Sequence, residues 1–136
     1  MKIEAIATRE VITVRTTDSM LTASKLLKER VIRHLPVLDE KGRLVGVITD
    51  RDIKRASASE ATSLDIHELL YLLDRLEVTK VMTRNPVTLP LGATVQEAAQ
   101  LMIRHKIGCI LIMDGGKLAG IVTDVDMLKL LARGEG

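Results

Sequence analysis

This chain repeats itself, and that limits its fold more than any other feature. Thr13 in Val11–Val14 matches Thr88 in Pro86–Leu89, an offset of 75 residues. The same offset pairs Ala23 with Ala98, Leu26 with Leu101, Ile32 with Ile107 and Asp39 with Asp114. One residue then drops out. An offset of 74 pairs Leu44 with Leu118, Gly46 with Gly120, Thr49 with Thr123, Asp50 with Asp124 and Asp52 with Asp126. Ordered identities across a whole unit mark a duplication. At 136 residues the chain suits one compact unit, or two small half-domains sharing a core.

Each copy reads as β-α-β-β-α. A short β run (Val11–Val14, Val87–Leu89) leads into a helix with apolar positions at helical spacing. These are Met20, Ala23, Leu26 and Leu27 in the first copy, and Val95, Ala98, Ala99, Met102 and Ile103 in the second. The second helix opens with a capping-box pattern, Thr94-Val95-Gln96-Glu97. Two apolar runs around an Asp/Gly-rich turn follow, His34–Leu38 with Leu44–Ile48 and Cys109–Met113 with Leu118–Val122, which predicts hairpins. A last short helix starts near Asp50 or Asp124. The strands are almost wholly apolar, so both sheet faces are expected to be covered. The fold class is α/β (α+β), with repeats at 6–56 and 81–133. The connecting 57–80 reads as loop over Ser57–Ser63, then as a helix at about 65–77. Asp65 can cap that helix, and Ile66, Leu69, Leu70, Leu73 and Leu76 form a stripe expected to pack across the repeats.

The strongest local signal is Gly46-Val47-Ile48-Thr49-Asp50-Arg51-Asp52, repeated as Gly120-Ile121-Val122-Thr123-Asp124-Val125-Asp126. Each copy sets a Thr at a strand-to-helix junction with an Asp three residues on, on one face of the first helical turn. A helix N-terminus offers free N–H groups and a positive dipole end to an anion. The Thr49 hydroxyl and the Arg51 guanidinium can add to that. A carboxylate repels phosphate but accepts from the paired hydroxyls of a ribose, so Thr-x-x-Asp favours a ribose phosphate over bare phosphate. The same spacing is also that of a capping box, in which the acid returns to its own helix. A capping Asp folds onto the N-cap backbone, whereas a ligand Asp faces a cleft.

A β-α-β-β-α unit ending in Gly-apolar-apolar-Thr-x-x-Asp, found twice, resembles a tandem CBS (cystathionine-beta-synthase) domain pair. Val81-Met82-Thr83-Arg84-Asn85-Pro86-Val87-Thr88 and Ile32-Arg33-His34-Leu35-Pro36-Val37-Leu38-Asp39 add to the likeness, which covers nearly the whole chain. The chain is similar to small stand-alone bacterial or archaeal CBS-pair proteins, including the N-terminal part of the acetoin-utilisation type. The resemblance implies one CBS-pair (Bateman) module, its repeats related by a pseudo-two-fold axis with two clefts between them. It also implies a homodimer and an adenosine-containing ligand: AMP, ADP, ATP or S-adenosylmethionine. It makes Thr49, Asp52 and Arg51 ligand residues of one site and Thr123 and Asp126 of the other. His34, Leu35 and Pro36 would line the first adenine pocket, and Cys109, Ile110 and Leu111 the second. Leu111 stands where Pro36 does and Val125 where Arg51 does, so unequal sites are expected, the first being the better nucleotide site.

Composition narrows the alternatives. With one Tyr and no Phe or Trp, base recognition by aromatic stacking is largely excluded. The net charge is +2 and the cations are scattered, giving no case for nucleic acid. No apolar run reaches the roughly 18 residues of a membrane span, and the single Cys109 suits a reduced, cytoplasmic protein. No P-loop, dinucleotide, zincin or nucleophile-elbow motif is present, and His34, His67 and His105 lack ligand spacing, so an enzyme is not expected and no cofactor is required. An unidentified protein partner is expected to read out ligand occupancy. The rival to sensing is a scaffold or dimerisation module without ligand binding.

Overall fold

The computed structural model describes residues 1–60 and 64–134, with Ser59 and Glu60 described by their backbone alone. The elements run β1 (Val14–Arg15), α1 (Met20–Arg30), β2 (His34–Leu38), β3 (Leu44–Thr49), α2 (Asp50–Glu60), α3 (Ile66–Arg75), β4 (Thr83–Arg84), β5 (Thr88–Pro90), α4 (Val95–His105), β6 (Cys109–Asp114), β7 (Lys117–Thr123) and α5 (Asp124–Ala132). They form two compact units, one of residues 12–85 and one of residues 1–11 with 86–136.

The 12–85 unit holds a four-stranded sheet in the order β1-β2-β3-β4. β1 and β2 run parallel with α1 as the crossover, and β2 and β3 form a hairpin with His34 opposite Thr49. The hairpin turn is organised by Asp39, which accepts from the N–H groups of Lys41 and Arg43 at 2.9 Å each. These bonds favour its ionised form, and its pKa lies below the usual carboxylate value, chiefly through the Arg43 N–H. Val14, Met20, Ala23, Leu27, Leu35, Val37 and Ile48 form the core with Leu73 of α3. α3 packs on α1 and α2. Its N-cap is Asp65, whose Oδ1 accepts from the Glu68 N–H at 2.8 Å. Leu69, Leu73 and Leu76 reach the core, at the 4-then-3 spacing of a narrow seam. Ile66 and Leu70 of the sequence-derived stripe stay exposed.

The second unit repeats this plan with β5-β6-β7, α4 and α5. Cys109 lies opposite Thr123, and the two-residue turn Gly115-Gly116 has φ of 65° and 128°, which glycine adopts without a Cβ clash. Ile110, Ile112 and Val122 pack with Ala98 and Met102 of α4 and with Ile3, which is fully buried. Leu111 and Ile121, on the alternate face, are buried too.

The segment ahead of each repeat docks on the last strand of the other copy. Thr8 exchanges two 2.9 Å backbone bonds with Ile121 of β7, and Thr83 of β4 lies opposite Val47 of β3. Thr8 and Thr83 are 75 residues apart. The same offset relates the 3-10 turns Ile3–Ala5 and Val78–Lys80, and also relates the bond from the Ile3 N–H to the Ala93 carbonyl to that from the Val78 N–H to the Asp18 carbonyl. These crossings explain the glycine of each motif. A Cβ on Gly46 would lie 2.9 Å from the Thr83 carbonyl oxygen and 2.5 Å from Met82 Sδ, and one on Gly120 would lie 3.1 Å from the Thr8 carbonyl oxygen.

Two sequence readings are corrected. Ser57–Glu60 is helical rather than loop, because α2 continues through Ala56 and Ala58, good helix formers, before it ends; residues 61–63 of that expected loop lie outside the described residues. The first β run is also shorter and later than Val11–Val14, since only Val14 and Arg15 pair with β2.

Candidate functional site

The two strand-to-helix corners are built alike. At the first, the Asp50 N–H donates to the Arg33 carbonyl at 3.1 Å, which joins the start of α2 to the entry of β2. Thr49 and Asp52 then bind each other three ways. The Thr49 N–H donates to Asp52 Oδ2 at 2.8 Å and the Thr49 hydroxyl to the same oxygen at 3.1 Å, while Thr49 Oγ1 accepts from the Asp52 N–H at 3.3 Å. At the second corner the Asp124 N–H donates to the Gly108 carbonyl at 2.9 Å, and Thr123 and Asp126 make the same three bonds at 2.8, 3.1 and 3.3 Å. Of the two arrangements that Thr-x-x-Asp allows, the one present is the capping box, at both corners.

The cap uses only one carboxylate oxygen, Oδ2, and so fixes the direction of Oδ1. At the first corner Oδ1 of the buried Asp52 accepts from Arg55 Nη2 at 3.0 Å. The Arg55 side chain is largely exposed, so this pair is screened and contributes little to stability. Sequence reasoning passed over Arg55, although it follows Asp52 at the i,i+3 spacing that lets helical side chains meet. At the second corner Lys129 occupies the matching position, and among the described residues none bonds to Oδ1 of Asp126.

Strand pairing brings the nominated strand residues to these corners. His34, Leu35 and Pro36 face Thr49, Ile48 and Val47, and Cys109, Ile110 and Leu111 face Thr123, Val122 and Ile121. Leu35, Pro36, Ile110 and Leu111 are buried, and His34 is half-buried. Arg51 is exposed beside its corner. Burial, with a smaller contribution from the Asp124 carboxylate, pushes the Cys109 thiol up to about 12. The corners differ at the second helical residue. The Val125 N–H donates to Asp124 Oδ1 at 2.9 Å, whereas the Arg51 N–H meets no side-chain acceptor among the described residues. Among those residues no three His, Cys, Asp or Glu groups come together to hold a metal, and no helix is long and apolar enough to cross a membrane.

Two small α/β units, each closing on a Thr-x-x-Asp corner, define a class of duplicated module. The sequence profile of the CBS domain matches residues 3–59 and 78–133, and the chain belongs to that family. A CBS domain-containing protein of Dictyostelium discoideum is 33% identical over 132 residues, which is 96% of this chain and 91% of the relative. A Vibrio cholerae protein named for acetoin utilization superposes with a TM-score of 0.81 at 27% identity, covering 98% of this chain and 91% of that one. A CBS domain pair solved with 5′-methylthioadenosine and S-adenosyl-L-methionine superposes at 0.83, with 28% identity and 98% of each chain covered. The protein CBSX2, solved with AMP, gives 0.75 at 25% identity, with 96% and 93% covered. The chain also matches enzymes, but only a fraction of their length. It is 34% identical over 125 residues to inosine-5′-monophosphate dehydrogenase of Korarchaeum cryptofilum and spans 23% of it.

Proposed function

We propose that this chain is a regulatory, non-catalytic module that binds an adenine nucleotide or a related adenosyl ligand and passes its occupancy to a protein partner in the cytoplasm. One observation carries the reading. Two matched corners each set a Thr hydroxyl, an Asp with a fixed Oδ1 and a helix N-terminus beside an apolar strand. Related pairs solved with AMP or with S-adenosylmethionine and 5′-methylthioadenosine support that ligand class.

In this reading Asp52 Oδ1 accepts from ribose hydroxyls, displacing the solvent-exposed Arg55 guanidinium. Thr49 turns its hydroxyl proton from Asp52 Oδ2, which the Thr49 N–H keeps capped, to phosphate, Arg51 adds its charge there, and His34, Leu35 and Pro36 border the base. Thr123, Asp126, Cys109 and Ile110 serve the second site. The Asp124 carboxylate on the Val125 N–H puts an anion where phosphate would bind, and no guanidinium stands at position 125. The second site therefore suits a less charged adenosyl ligand, and the first a nucleotide.

Thermal unfolding with AMP, ADP, ATP and S-adenosylmethionine tests this. A ligand at 100 times its dissociation constant adds about 2.7 kcal/mol. A flat response to all four would leave the second reading, a scaffold without ligand, which the capping geometry favours because it accounts for Thr49 and Asp52 with no ligand at all.

A further inference from the structure

The two corners are copies, so a difference between them is not imposed by the fold. Their caps agree bond for bond, at 2.8, 3.1 and 3.3 Å in each. They differ on the carboxylate oxygen that the cap leaves. At the first corner Arg55 Nη2 donates to Asp52 Oδ1 at 3.0 Å. The Asp52 side chain is 6% exposed and that of Arg55 76%, so the guanidinium covers a buried oxygen from the solvent side. At the second corner the offset of 74 puts Lys129 in the place of Arg55. Lys129 is exposed, and among the described residues none donates to Asp126 Oδ1. The chemistry of the two cations differs in the same sense. Arg presents a planar fork on a long arm, whereas Lys ends in a compact, strongly hydrated point charge.

We infer that Arg55 selects the ligand of the first corner: its guanidinium shuts the ribose acceptor to uncharged nucleosides and yields to nucleotides, whose phosphate it then binds. This rests on the adenosyl reading of the corners. A ribose hydroxyl can reach Oδ1 only by moving the guanidinium, so a bond between two charged groups gives way to one from a neutral donor. An uncharged nucleoside leaves the displaced cation to water. A nucleotide does not. The Thr49 hydroxyl, where phosphate is proposed to bind, lies on Oδ2 of the same carboxylate whose Oδ1 holds Arg55. The freed guanidinium therefore starts beside the phosphate, and its fork can bond two phosphate oxygens at once. At the second corner no guanidinium has to move, so Asp126 stays open to an uncharged nucleoside.

Calorimetry with adenosine and with AMP tests this on the full chain carrying Asp126→Asn, which keeps an acceptor for the second cap and weakens the second corner. In that chain Arg55 is compared with Arg55→Gln and with Arg55→Lys, which installs the cation of the other corner. Substitution of so exposed a side chain should leave the fold intact, which far-UV circular dichroism checks. Adenosine should bind Arg55→Gln about two- to fivefold more tightly, the range of an exposed ion pair. AMP should bind it about tenfold or more weakly, as when a hydrogen bond to a charged group is lost. Arg55→Lys should move adenosine in the same direction. A merely stabilising surface pair would not shift the two ligands in opposite senses, and Arg51 is the same in every chain. Conversely, Lys129→Arg in the chain carrying Asp52→Asn should weaken adenosine about two- to fivefold. AMP binding that survives Arg55→Gln with the ratio of the two affinities unmoved would overturn the inference and leave the adenosyl reading standing. So would adenosine that binds the variant no more tightly. If neither ligand binds the wild-type chain, by calorimetry and by thermal shift, the adenosyl reading fails and this inference with it.

Discussion

At the residue scale, the Asp52 carboxylate splits its two oxygens between a helix cap and an outward-facing partner, and the proposed ribose role uses the second. Its Oδ2 caps α2 and its Oδ1 faces a guanidinium that solvent can replace. The cap holds the carboxylate in one direction, which would lower the ordering cost of the proposed binding. Asp52→Ala should thus have two effects: loss of about 1 kcal/mol of stability, the usual figure for a cap, and loss of about 1.5–3 kcal/mol of nucleotide affinity, as for hydrogen bonds to charged groups. Asp52→Asn keeps an acceptor for the Thr49 N–H, so it should stay close to wild type in a urea titration while calorimetry shows weaker binding. If calorimetry finds the affinity untouched in both variants, Asp52 has no ribose role.

At the element scale, each motif glycine marks where the segment from ahead of the other repeat crosses the last strand. The Gly46 crossing is the tighter one, because backbone lies within 2.9 Å of the missing Cβ. Gly46→Ala must displace both the Met82 side chain and the β4 backbone at Thr83, and overpacking of this kind costs about 1–3 kcal/mol. Gly120→Ala meets the Thr8 carbonyl at 3.1 Å and should cost less. Equilibrium urea unfolding of the two variants measures the difference. Equal losses would mean that the crossings, rather than the spacing at each, set the requirement.

At the scale of the whole molecule, Cys109 reports on the intactness of its unit. The thiol is buried and its pKa is raised to about 12, so at pH 8 almost none is thiolate in the folded chain. The folded state holds the proton more tightly than the unfolded one, so this group's contribution to stability falls as pH rises from about 9 toward about 12. A thiol reagent at pH 8 should therefore label Cys109 only as fast as the unit opens, and a stabilising ligand should slow that labelling. Immediate labelling of the native chain would show that the site is open.

Much of this protein was legible from residues near one another in sequence. The duplication, both hairpins, the Asp65 and Thr94 caps and the start of α2 and α5 at Asp50 and Asp124 all rest on turn residues, apolar periodicity and side chains three positions apart. These depend on local backbone geometry, which a short stretch determines alone. Tertiary structure decided what depends on partners far along the chain. The pairing of Thr8 with β7 and of β4 with β3 joins segments whose own pattern is too short to announce a strand. The split of the α3 stripe into a buried seam and an exposed edge depends on where α1 lies. Above all, Thr-x-x-Asp permits a cap or a ligand site by its spacing, and only the direction of the carboxylate, held by three hydrogen bonds, shows that the cap is formed and which oxygen it leaves.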